Sequence, residues 1–237
     1  MDAILERNLI NTGFKGPVLP VNPNRSAVAG VFTYSDVASL PTIPELAILT
    51  TPLEKGPAFI RELGAKGTRA VLLLSREQLN TCEHAGTALK QTLLEAAKPY
   101  QLRLLGPDRL GMAIPINGIN AILSHLPLLS GHLSLLTQSS SLMRAVMSWA
   151  ASRAIGFSHL VSVGAEVDVD CSDMLDYLAQ DSQTYAILMY LESVRHPRRF
   201  LSAARAAARL KPVIALKPRD RYRSRRRQRP AGYRGNG

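Results

Sequence analysis

Two short stretches decide the predicted fold, and they read LGPDRLG at residues 105–111 and LLTQSSS at residues 135–141. Each stretch follows a short apolar run. Gly and Pro end a strand at the first stretch, whereas small hydroxyl residues begin a helix at the second. Backbone N–H groups at the start of a helix have no partner within the helix and can bind an anion. The two stretches therefore predict an α/β protein that holds a phosphorylated ligand between two sheets.

The order of the remaining segments supports this fold class. Nearly continuous apolar strands that alternate with amphipathic helices are typical of parallel sheets covered on both faces. The predicted strands are residues 17–21, 46–50, 70–74, 102–105, 133–136, 159–163, 186–191 and 212–216. The predicted helices are residues 57–67, 85–100, 141–153, 172–180 and 197–210. The sequence therefore predicts two open parallel-sheet units, an incomplete Rossmann-like unit followed by an incomplete flavodoxin-like unit.

Composition and charge limit the protein class. The 237 residues, 46% of them hydrophobic, are enough for one large domain or two small ones. Eight arginines and one aspartate in residues 218–237 account for +7 of the net charge of +11. We therefore expect a basic disordered tail at residues 218–237. The alternating strands and helices before it are expected to form units at residues 1–125 and 126–217. The tail could bind nucleic acid non-specifically through phosphate contacts, or it could be the product of out-of-frame translation.

Cysteine spacing and hydropathy predict the compartment. Cys82 and Cys171 lie far apart and lack the spacing of metal ligands, which fits a reducing cytosol. No apolar run approaches the ~18 residues that cross a membrane. The first residues mix both charges and do not resemble a signal peptide. We therefore predict a cytoplasmic protein without a membrane segment.

An ordered set of sequence blocks carries a family resemblance. The blocks are GFKGPVLPVNP at 13–23, GPDRLG at 106–111, TQS at 137–139, VSVG at 161–164, DVD at 168–170, DYLA at 176–179, AILMYLE at 186–192 and RRFLSAAR at 198–205. With them the chain resembles the N-terminal region of ADP-forming acyl-CoA synthetases. It resembles most closely the synthetase-like region of bacterial Pat-type protein lysine acetyltransferases.

The resemblance implies a binding site for CoA or acetyl-CoA, in a Rossmann-like first unit and a succinyl-CoA synthetase-like second unit. The residues implied at this site are Val21, Asn22, Pro23, Thr50, Thr51, Pro52, Ser75, Arg76, Gly106, Pro107, Asp108, Ser139 and Ser140. The same residues also suit ordinary strand-ending turns, and Ser139 suits a helix cap. The implied partners are an acyl-CoA, an ATP-grasp region and a Gcn5-related acetyltransferase domain.

The chain departs from the family pattern at several points. The family's first strand and Gly/Ser-rich phosphate turn precede the position of Met1, and Asp108 replaces an Asn that would donate hydrogen bonds. The family's phosphorylated histidine follows the point near Lys217 where the resemblance ends. The EHAG stretch at residues 83–86 imitates its context in the wrong unit. We therefore expect a chain truncated at both ends, without catalytic or metal-binding residues of its own.

Three functions remain open from the sequence. The first is an acyl-CoA-binding, regulatory region of a protein lysine acetyltransferase, without catalysis by this chain alone. The second is the CoA-binding subunit of an ADP-forming acyl-CoA synthetase, paired with a separate ATP-grasp subunit. The third is a nucleic-acid-binding protein that acts through the basic tail. For the carboxylates at residues 166, 168 and 170, a solvated loop with a helix cap is preferred to a metal site, and Asp170 or Ser172 suits the cap of the helix at 172–180.

Overall fold

A computed structural model describes residues 2–75, 79 and 84–218 of the chain. The first part contains three helices and five strands in an order close to the predicted one. They are α1 (Asp2–Asn11), β1 (Ala27–Val28), β2 (Val31–Phe32), β3 (Leu46–Leu49), α2 (Gly56–Lys66), β4 (Ala70–Leu74), α3 (His84–Ala97) and β5 (Arg103–Asp108). Strands β3, β4 and β5 form a parallel sheet in that order, and β1 and β2 form a small antiparallel hairpin.

Strand β4 shows why this sheet has continuous apolar strands. Val71 and Leu73 pack in one cluster with residues of α2 and α3, including Ile60 and Leu93. The residues between them, Leu72 and Leu74, pack in a second cluster that includes Leu5 of α1. Alternate side chains of a strand point to opposite faces, so both faces of this sheet are buried and both need apolar residues.

The second part of the chain forms a six-stranded sheet with helices on both faces. Its elements are β6 (Gly111–Ile114), β7 (Ile119–Ile122), β8 (Ser130–Thr137), α4 (Ser140–Ala151), β9 (Phe157–Ser162), α5 (Cys171–Gln180), β10 (Ala186–Tyr190), α6 (Pro197–Leu210) and β11 (Val213–Leu216). The strand order is β11-β10-β8-β9-β6-β7. The first four strands of this order run parallel, and the β6–β7 hairpin joins β9 antiparallel. Helix α4 packs on one face, and helices α5 and α6 pack on the other.

The predicted α/β fold with parallel-sheet units is confirmed, and three local differences have physical reasons. Residues 17–21 do not form a strand, although Val21 makes a single bridge to Tyr34. Pro17 and Pro20 lack the N–H groups that a strand donates to a neighbour. The sequence analysis also missed the β1–β2 and β6–β7 hairpins, whose strands have only two to four residues each.

The β6–β7 hairpin lies N-terminal to the predicted boundary between residues 125 and 126, yet it bonds to the second sheet. Asn8 of α1 donates hydrogen bonds to Ile122 O (2.7 Å) and Ser124 O (2.9 Å), so the hairpin also contacts the first unit. The division into units at residue 125 therefore stays a prediction. Among the helices that the structure describes, none combines the length and the hydropathy of a membrane span.

Candidate CoA and anion site

The first part of the candidate site is the edge where the strands of the three-stranded sheet end. Thr50, Thr51 and Pro52 follow β3, and Ser75 follows β4. The N–H of Ser75 donates to Asp108 O at the end of β5, at 2.9 Å. The Thr51 Oγ1 atom is buried and has no hydrogen-bond partner within the described part of the chain. In open α/β sheets this edge is the usual ligand-binding edge.

Residues 106–108, where the sequence predicts that Gly and Pro end the strand, form the end of β5 instead, and the side chain of Asp108 closes the turn that follows. Asp108 is 7% exposed, and its Oδ2 accepts hydrogen bonds from the N–H groups of Leu110 (2.7 Å) and Gly111 (3.1 Å). Gly106 has a φ of +103°, and a Cβ there would lie 2.6 Å from Leu73 O. Residue 106 therefore has to be glycine, and residue 108 has to be a hydrogen-bond acceptor.

The second part of the candidate site is the N-terminus of α4. Ser139 is the N-cap, as predicted, and its Oγ accepts a hydrogen bond from Leu142 N. The N–H of Ser139 donates to Thr137 Oγ1 at 2.9 Å. Ser162 lies opposite Thr137 in the adjacent strand, and its fully buried Oγ has no hydrogen-bond partner among the residues described. This edge therefore combines a helix N-terminus with an uncommitted hydroxyl group.

A set of residues next to this helix makes contacts that the sequence did not predict. We call Gln138, Glu166, Glu192, Ser193 and Arg195 the Gln138 cluster. The Gln138 amide nitrogen donates to Glu166 Oε1 (2.9 Å) and to Ser193 O (3.0 Å). Its amide oxygen accepts from the N–H groups of Glu192 (2.7 Å) and Ser193 (2.9 Å). One side chain thus joins the loops that follow β8, β9 and β10.

The loop between β9 and α5 connects the two sheets. The N–H groups of Ala165, Val167 and Val169 donate to the carbonyls of Pro107, Gly106 and Leu104 at 3.0 to 3.1 Å.

Glu166 of the same loop has a φ of +49°, and its carbonyl accepts from Lys90 Nζ of α3 and from Arg195 Nη1. Burial, and next the charge of Arg195, lowers the pKa of Lys90.

The acidic residues of this loop have local partners. Asp170 is the N-cap of α5 in a capping box with Asp173, which confirms the predicted cap. Burial alone would raise the pKa of Asp170, but the N–H groups of Asp173 and Ser172 bring it below the usual value. Asp168 pairs with Arg103 at 2.8 Å. Across residues 2–75, 79 and 84–218, no group of three His, Cys, Asp or Glu side chains could hold a metal ion.

The predicted binding residues at 21–23 form a turn with contacts of its own. The turn at residues 21–23 lies beside Tyr34, whose carbonyl accepts from Asn22 N at 2.8 Å. The Asn22 side chain accepts from Asn24 N within the same turn. Arg76 lies outside the described residues.

Comparison with known proteins identifies the region. Residues 4–115 match the family described as CoA binding domain, and residues 130–231 match the succinyl-CoA ligase like flavodoxin domain. The chain is 33% identical over 215 residues to the acetate–CoA ligase (ADP-forming) I subunit alpha of Pyrococcus furiosus, covering 89% of this chain and 46% of that protein. The chain is homologous to this alpha subunit.

Other relatives agree with this homology. The chain is 35% identical over 211 residues to acetate–CoA ligase (ADP-forming) I of Archaeoglobus fulgidus, covering 89% of this chain and 30% of that protein. A solved dinucleotide forming acetyl-coenzyme A synthetase 1 of Ca. Korarchaeum cryptofilum, in complex with phosphate and ADP, superposes with a TM-score of 0.84 at 30% identity. That match covers 90% of this chain and 46% of the other. The chain thus spans less than half the length of these relatives.

The two matched domains divide the candidate site between them. The CoA binding domain match contains the edge formed by Thr51, Ser75 and Asp108. The succinyl-CoA ligase like match contains Ser139 and the Gln138 cluster. The three relatives named above are ligases or synthetases, so they do not support the acetyltransferase interpretation.

Proposed function

We propose that this chain supplies the CoA-binding part of an ADP-forming acyl-CoA synthetase. The observation that carries the proposal is the homology over 89% of the chain to the alpha subunit of such a ligase. This function is the second of the three that the sequence left open. It is preferred to the acetyltransferase function because the relatives named above form CoA thioesters or carry a synthetase name.

In this proposal CoA binds at the edge of the three-stranded sheet. Thr51 supports the assignment because its buried Oγ1 lacks a partner in the part of the chain that the structure describes, and a ligand could supply one. The residues proposed to line the CoA site are Val21, Asn22, Pro23, Thr50, Thr51, Pro52, Ser75, Arg76, Gly106, Pro107 and Asp108. Residues 1–125 would form this unit.

An anionic group binds at the N-terminus of α4 in the same proposal. Helix α4 begins at Ser140 beside Ser139, and the backbone N–H groups of its first turn have no partner within the helix, while the helix dipole favours negative charge there. The buried and uncommitted Oγ of Ser162 beside Thr137 supports this assignment. The anion would be a phosphate or phosphoryl group, consistent with the ADP-forming activity named for the relatives.

The complete reaction needs a second component in this proposal. The relative from Pyrococcus furiosus is named as one subunit of its ligase, and this chain spans 46% of it. The resemblance found in the sequence implies an ATP-grasp region as the component that binds the nucleotide. We therefore expect no acyl-CoA formation by this chain alone from ATP, a carboxylic acid and CoA.

A pair of threonine variants tests the CoA site. Thr51→Val replaces the uncommitted hydroxyl group by a methyl group of similar size. We expect CoA affinity, measured by isothermal titration calorimetry, to fall by about fivefold, because one hydrogen bond contributes ~1 kcal/mol. Thr68→Val is the matched control, since Thr68 Oγ1 is also buried without a partner among the described residues but precedes β4 at the opposite edge.

CoA titration of the wild type and of the two variants has three distinguishable outcomes. The proposal predicts that Thr68→Val binds CoA as the wild type does. If the wild-type chain does not bind CoA, the proposed function is wrong. If both variants bind CoA equally well, the placement of CoA beside Thr51 is wrong, although CoA binding itself stands.

A further inference from the structure

The side chain of Gln138 uses its whole hydrogen-bonding capacity between loops. A primary amide has two N–H donors and a carbonyl oxygen that can accept two hydrogen bonds. In Gln138 the donors reach Glu166 and Ser193, and the oxygen accepts from Glu192 and Ser193. No hydrophobic side chain of the same length could replace these four bonds.

Glu166 links this arrangement to helix α3 of the first part of the chain. It is 5% exposed, and its Oε1 accepts from Gln138 and from Cys171 N, at 2.9 and 3.2 Å. Its left-handed backbone is held by Lys90 and Arg195, which both donate to its carbonyl oxygen. A strained backbone of this kind persists only where surrounding contacts determine it.

Gln138 also directly precedes the N-cap of α4. Its backbone N–H donates to Tyr190 O at 3.2 Å, so both its backbone and its side chain bond to the β10 end of the sheet. The direction in which the first N–H groups of α4 point therefore depends on how residue 138 is held. An anion site made of backbone N–H groups is sensitive to such placement, because hydrogen bonds weaken steeply with misalignment.

We infer that Gln138 is a positioning residue for phosphate bound at the N-terminus of α4. It does not touch the anion. It holds the loops after β8, β9 and β10 in the arrangement that aims the helix N-terminus. The inference rests on the proposed function. It states that phosphate affinity depends on the Gln138 side chain, whereas CoA affinity does not.

Phosphate and CoA titrations of the full chain test the inference. Gln138→Met keeps the length of the side chain and removes the four hydrogen bonds. We expect inorganic phosphate to bind about tenfold more weakly, because several net contributions of ~1 kcal/mol are lost around the site. CoA affinity measured without phosphate should stay within about twofold of wild type, because the edge at Thr51 keeps its own contacts.

A matched control separates this role from a general effect of the substitution. Gln180→Met makes the same change at the C-terminal end of α5, where the Gln180 amide bonds only to Asp176 O of its own helix among the described residues. This variant should bind phosphate like the wild type. Equal phosphate affinities for Gln138→Met and Gln180→Met would overturn the inference.

Exchanging the amide and the carboxylate between residues 138 and 166 provides a second test, which does not depend on the stability of Gln138→Met. Gln138→Glu places a second carboxylate beside Glu166 and should weaken phosphate binding. The double variant Gln138→Glu/Glu166→Gln restores a donor and an acceptor between the two positions. It should regain part of the phosphate affinity lost by Gln138→Glu, and failure to regain any would contradict the inference.

The controls also distinguish the inference from the proposed function. Absence of CoA binding by the wild-type chain contradicts the proposed function. CoA binding by the wild type together with undetectable phosphate binding overturns the inference and leaves CoA binding intact.

Discussion

At the end of β5, the carboxylate of Asp108 accepts hydrogen bonds from two backbone N–H groups of the following turn. The family pattern has Asn at this position, whose amide would donate hydrogen bonds that Asp108 cannot donate. In the structure the Asp108 side chain instead acts as an acceptor through Oδ2. An Asn side chain has one carbonyl oxygen that could accept the same two bonds. The loop therefore requires an acceptor at this position rather than a charge.

Substitutions of Asp108 test this role. Asp108→Ala leaves two buried N–H groups without an acceptor, and we expect it to lower the free energy of unfolding by about 2 kcal/mol. Asp108→Asn keeps an acceptor and should change the free energy of unfolding by less than about 1 kcal/mol. Urea denaturation followed by circular dichroism measures both values. Equal destabilisation by the two variants would show that the charge, not the acceptor, holds the loop.

At the scale of elements, periodicity and caps were sufficient to predict the long helices and the parallel strands. Helix α6 begins and ends at the predicted residues, and α5 begins beside the predicted cap Asp170. The short elements could not be predicted in the same way. The strands β6 and β7 have four residues each, and the pairing of β6 with β9 depends on residues about 50 positions away.

The packing of α5 on β9 encloses a histidine. His159 is 3% exposed, and its Nδ1 lies 3.4 Å from Thr184 Oγ1 and 3.5 Å from Asp181 Oδ2. Its Nε2 lies 3.3 Å from the hydroxyl group of Tyr177. Burial, with a smaller effect of the Lys211 charge, lowers the pKa of His159 below 6.5, although Asp181 opposes this shift.

This histidine makes stability depend on pH. Below pH 6.5 the unfolded chain binds a proton at His159 more readily than the folded chain does, so the free energy of unfolding falls as the pH decreases. The variant His159→Gln should show a smaller loss of stability between pH 7 and pH 5, measured by urea denaturation at each pH. His125→Gln, at an exposed position, is the control. An unchanged pH dependence in His159→Gln would exclude this cause.

At the scale of the whole molecule, the loop between β9 and α5 joins the two sheets through backbone hydrogen bonds to the end of β5. The sequence predicted that two ligand-binding edges face one ligand, and it predicted Ser139 as a cap. It could not predict the Gln138 cluster, because Gln138 and Glu166 are 28 residues apart and Gln138 and Ser193 are 55 apart. No periodic pattern or short motif records hydrogen bonds from one side chain to a side chain and to backbone groups of two other loops.

Hydrogen–deuterium exchange of the full chain with and without CoA tests whether CoA binds at the edge of the three-stranded sheet. We predict slower exchange at residues 50–53 and 106–111, the edge of the three-stranded sheet. We also predict no change at residues 181–185, which lie at the opposite edge of the second sheet. No change anywhere at saturating CoA, or protection confined to residues 181–185, would contradict binding at that edge.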